Sequence, residues 1–62
     1  MDIPNEIQSM ETGLFTVGKT VKELCAEAGI DYVTWWRWRN GKDAKMETWS
    51  RVQDAYASMV RT

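Results

Sequence analysis

The chain contains no histidine, one cysteine and one proline, and its apolar residues never form a long run. Each scarcity excludes something. Without histidine, imidazole acid–base catalysis and a Ser-His-Asp triad are unavailable. With Cys25 as the only thiol, neither an internal disulfide nor a Cys/His zinc set can form. No segment approaches the roughly 18 apolar residues that a membrane span needs. The opening stretch MDIPNEIQSM lacks the basic region and apolar core of a signal peptide, so a reducing, cytoplasmic setting with no membrane partner is expected. TVGKT at 16–20 falls short of the spacing of a phosphate-binding loop, and no nucleophile–base pair stands out. The sequence does not read as an enzyme, and no metal or cofactor is expected.

A chain of 62 residues makes one small domain, residues 1–62, whose single core must come from packing alone. Large side chains supply it most economically, which gives the four tryptophans a structural reason to be present. Three of them, Trp35, Trp36 and Trp38, lie within four positions and are interleaved with Arg37 and Arg39. The net charge is −1, but it is unevenly spread. Residues 1–36 hold six acidic groups against Lys19 and Lys22. Residues 37–51 hold Arg37, Arg39, Lys42, Lys45 and Arg51 against Asp43 and Glu47. A local basic cluster of this kind is compatible with a polyanion partner despite the neutral total.

The periodicity predicts an all-α fold of four short helices. Ile3, Ile7, Met10 and Leu14 recur at helical spacing, which predicts a first helix over about 4–12, opened by Pro4 and ended by Gly13. GLFTVGKT then reads as a loop, with an extended segment from Phe15 to Val17. Thr20 and Glu23 form a capping-box pattern that opens a second helix to about Glu27, with Val21, Leu24, Cys25 and Ala28 facing inward and Gly29 breaking it. A third helix should follow Asp31 as N-cap and run through Asn40, with Gly41 just past its end. The last helix starts near Lys45 or Glu47 and carries Trp49, Val52, Tyr56 and Met59 or Val60 on one stripe.

From Thr20 onward the pattern is a helix, a tight Ala-Gly-Ile turn and a second helix. Cys25 and Ala28 are small where the second helix would cross the first, and Gly29 can turn the chain sharply. VKELCAEAGIDYVTWWRWRNGK resembles the helix-turn-helix of the phage repressor and Cro-like family. Leu24 and Cys25 match its apolar–small pair, Gly29, Ile30 and Asp31 its turn, Trp35 and Trp38 its buried positions, and RNGK its helix exit. The similarity covers about residues 20–56. It implies a sequence-specific, double-stranded-DNA-binding transcriptional regulator of phage or prophage type. Such a protein would work in a bacterial cell or phage-infected host and bind as a homodimer, with half-sites one helical turn apart.

At about 100° per residue, Trp35 and Trp38 fall on one side of the third helix, whereas Tyr32, Val33, Trp36 and Arg37 fall on the other. The first pair is expected in the core. By the resemblance, the second set reads base edges: Arg37 suits guanine, and Val33 and Trp36 suit thymine methyl groups. Thr20, Lys22, Arg39, Asn40 and Lys42 would contact phosphate. Plainer readings stand beside these. Trp36 could pack on the N-terminal segment, Arg37 and Arg39 could be solvated charges pairing with Glu or Asp, and Lys42 and Lys45 could serve solubility. Cys25 reads as a small buried residue. An exposed Tyr32/Val33/Trp36 face is also how a protein-interaction module, such as an anti-repressor, would look.

Overall fold

A computed structural model describes residues 2–61 as four α-helices. They are α1 (Ile3–Thr16), α2 (Val21–Ala28), α3 (Tyr32–Arg39) and α4 (Met46–Val60). The all-α expectation therefore holds. α2 packs chiefly on α4, and α1 packs on both α3 and α4. No helix among the described residues is long and apolar enough to cross a membrane.

The first helix is longer than its sequence predicts. Gly13 does not end α1 but lies inside it, and Phe15 and Thr16 are helical rather than extended. Packing explains the glycine. A β-carbon at position 13 would collide with the Tyr56 hydroxyl, so Gly13 is where the Tyr56 side chain of α4 reaches onto α1. The true stop is Gly18, at φ +73°. There the Lys19 N–H bonds back to the Leu14 carbonyl at 2.9 Å and the Gly18 N–H to Phe15 at 3.1 Å, a Schellman closure.

Gly29 closes α2 in the same way at φ +74°, with the Ile30 N–H donating to the Cys25 carbonyl at 3.0 Å. The left-handed backbone is what turns the chain from α2 into α3, and an L side chain there would be strained. At the other end of α2 the expected capping box is formed in both directions. Asp31 occupies the N-cap position of α3, yet its side chain makes no capping bond. α4 starts at Met46, between the two predicted starts.

The core gathers Ile7, Met10 and Leu14 of α1, Leu24, Cys25 and Ala28 of α2, and Trp35 and Trp38 of α3, closed by Trp49, Val52 and Ala55 of α4. Three of the four tryptophans interlock. Trp38 meets Trp49 edge-on at 5.5 Å and lies tilted against Trp35 at 6.4 Å, arrangements that aromatic quadrupoles favour. The Trp35 indole N–H donates to Glu11 Oε2 at 3.1 Å, while the buried N–H of Trp49 meets no partner among the described residues. Burial also pushes the Cys25 thiol up, which disfavours its thiolate.

Candidate nucleic-acid interface

α3 has eight residues and two unlike faces. Trp35 and Trp38 are 1% and 3% exposed, as the helical spacing predicts. Tyr32, Val33, Trp36 and Arg37 all lie exposed on the opposite side, with Trp36 at 55%. The exposed face exists because the buried face is anchored. Two indoles wedged beneath α3 leave its other side chains nowhere to go but outward.

Two grooves flank this exposed ridge. On the α4 side, Arg37, Lys42 and Lys45 gather with Thr34 and Thr48 around a groove of about 580 Å³, with Asp43 as its one acid. Lys42 is held there by its backbone, whose N–H donates to the Arg37 carbonyl at 3.1 Å, and Gly41 allows that closure. On the α1 side, Trp36, Arg39 and Asn40 face Asn5 and Gln8 across a groove of about 390 Å³. The helical repeat sets this division. Residues 34, 37 and 38 form one stripe of α3, and 36, 39 and 40 form the next.

The residues read from sequence as phosphate contacts do not behave as one set. Lys42 lies in the basic groove with Arg37. Arg39 lies in the other and is partly neutralised, its guanidinium 3.8 Å from Glu11 Oε2. Asn40 donates one Nδ2 proton to the Trp36 carbonyl at 2.8 Å, which fixes the amide's orientation and leaves its second N–H and its oxygen to pair. Thr20 and Lys22 are exposed at the start of α2 and line neither groove. The Thr20 hydroxyl accepts from the Glu23 N–H at 3.2 Å, and the Thr20 N–H donates to the Glu23 carboxylate at 2.6 Å. The capping box thus satisfies two N–H groups of the N-terminus and sets a carboxylate beside it, which disfavours a phosphate there.

Lys45 joins Arg37 and Lys42, with which the basic stretch 37–51 had grouped it, whereas Thr34 and Thr48 carried no signal. The charge pattern could not show that the 40–45 connection folds back beside α3. Asn5 and Gln8 carried no signal of their own: that Trp36 could pack on the N-terminal segment was open from the sequence, but not which residues it would face. Compared with known protein families, curated proteins and solved structures, the chain matches none.

Proposed function

We propose that α2, its glycine turn and α3 act as a helix-turn-helix, and that the protein is a sequence-specific DNA-binding regulator with α3 in the major groove. One observation carries this reading. α3 offers solvent a ridge of Tyr32, Val33, Trp36 and Arg37, with a groove holding Arg37, Lys42 and Lys45 beside it. A ridge fits the major groove, which admits one helix, and the basic groove fits the phosphate backbone that borders it. Arg37 stands where the two meet and is the strongest base-reading candidate. The resemblance to the phage repressor and Cro-like family supports the same reading, with a homodimer on two half-sites.

The second reading is a protein-interaction module. Its support is the apolar character of Tyr32, Val33 and Trp36, all exposed on one helix. A titration with duplex DNA at two salt concentrations, on selected and on scrambled sequence, separates the two. If α3 reads DNA, Arg37→Ala should relax preference at one base pair by about 1–3 kcal/mol while leaving folding intact. Lys42→Ala should weaken all sequences alike and lower the salt slope by about one. Binding that is absent, or indifferent to sequence, would favour the interaction module.

A further inference from the structure

Within the exposed set on α3, hydrogen-bonding capacity toward a base edge is small. Of Tyr32, Val33, Trp36 and Arg37, the Tyr hydroxyl, the indole N–H and the Arg guanidinium can pair, and none is an amide that both donates and accepts. The missing polar groups stand across the groove on α1. Asn5 and Gln8 are one turn apart, both exposed, and both line the cleft whose other wall holds Trp36 and Asn40.

Charge decides what this cleft can take. Its charged groups are Asp2 and Arg39, and Arg39 is already shared with Glu11. It therefore offers little to a phosphate. The groove on the far side of α3 sets three cations against one acid and is the better seat for the backbone. A neutral, polar partner is left for the α1 side, and in the major groove that partner is a base edge. The amide of Asn or Gln pairs bidentately with adenine N6 and N7. The half-exposed indole of Trp36, on the same cleft, offers an apolar surface that suits the methyl group of the paired thymine.

We propose that the cleft between α1 and α3 reads an A·T base pair, with the Asn5 and Gln8 amides directed to adenine and Trp36 to the thymine methyl. The inference rests on the DNA-binding reading and sharpens it: phosphates lie on the α4 side of α3, and additional base edges lie on the α1 side. Asn5 and Gln8 become specificity-determining residues contributed by a helix outside the helix-turn-helix.

The test selects duplexes from a randomised pool with the full chain, then titrates the selected duplex. The parent should enrich an A·T pair at one position. There, 7-deazaadenine, which lacks N7, should weaken parent binding about tenfold, and uracil for thymine should weaken it by a smaller factor. Asn5→Ala or Gln8→Ala should lose the A·T preference and become insensitive to 7-deazaadenine. Trp36→Ala should become insensitive to uracil. The altered bases leave the protein untouched, so this arm stands even if a variant folds poorly. Variants that keep the same A·T discrimination, with a parent indifferent to both altered bases, overturn the inference while leaving DNA binding intact. An Asn5→Ala protein weakened equally on every sequence, with a lower salt slope, assigns the cleft to the backbone and also overturns it. A parent that selects no sequence defeats the DNA reading itself.

Discussion

Trp36 and Trp38 are the same side chain two positions apart on the same short helix, and they meet opposite environments. Trp38 is buried between Trp35 and Trp49, whereas Trp36 keeps 55% of its surface in solvent. Two residues along a helix are about 200° around it, so neighbours in sequence can sit on opposite faces. Composition alone cannot tell such residues apart. The aromatic cluster of this chain is therefore two features: a three-tryptophan core shared with α4, and one exposed indole beside Arg37.

The largest expected effect falls on the buried member. Trp38→Ala should cost about 3–5 kcal/mol, since it removes a large side chain and leaves a cavity beside two other indoles. A domain of this size has a total stability on the order of 3–9 kcal/mol, so the loss takes about a third or more of it and the variant should melt far below the parent. Circular dichroism through a thermal melt reads this directly. A Trp38→Ala protein that melts like the parent would break the division of α3 into a buried and an exposed face.

That division was legible in the sequence because it depends only on the helical repeat. The capping box at Thr20 and Glu23, and the turn at Gly29, were legible for a similar reason: each is a local pattern whose partners lie within a few residues. Gly13 shows where local reading fails. A glycine inside an apolar period usually marks a stop, but here it makes room for Tyr56, 43 positions away in the chain. The grooves beside α3 were hidden for the same reason. Lys42 and Lys45 could be seen as basic, and Asn5 and Gln8 as polar, but their placement along α3 is set by how α1 and the 40–45 connection pack on it. That Arg39 could pair with an acid was one reading of its charge, but only the packing of α1 on α3 makes Glu11, 28 positions earlier, that acid.

A smaller effect should come from Glu11, which serves the buried face through its polar edge. Its Oε2 accepts from the Trp35 indole at 3.1 Å and lies 3.8 Å from the Arg39 guanidinium. Glu11→Ala leaves the indole N–H of a buried tryptophan without its acceptor, which should cost about 1–3 kcal/mol. Glu11→Gln keeps an acceptor oxygen and loses only an exposed ion pair, which is worth at most about 1 kcal/mol. Guanidinium unfolding of the two variants sharpens the comparison, because it separates the hydrogen bond from the charge. Equal losses in both would shift the weight from the indole bond to the Arg39 pair.

The smallest expected change in stability belongs to Trp36→Ala. The side chain contributes no core contact, and its indole lies against a groove rather than inside packed neighbours. What contact is lost is partly offset because alanine favours an exposed helical position by about 0.5 kcal/mol. The variant should therefore unfold within about 1 kcal/mol of the parent, as surface substitutions usually do. Set beside Trp38→Ala, the pair tests the two faces with one chemical change. DNA binding by the folded Trp36→Ala protein should nonetheless be altered if the exposed ridge of α3 is the reading surface. A folded variant with parental DNA binding would remove Trp36 from that surface. A Trp36→Ala protein that unfolds like Trp38→Ala would mean that the indole closes onto Pro4 and Asn5 in solution, which would turn the α1 cleft into core and leave Tyr32, Val33 and Arg37 on the face.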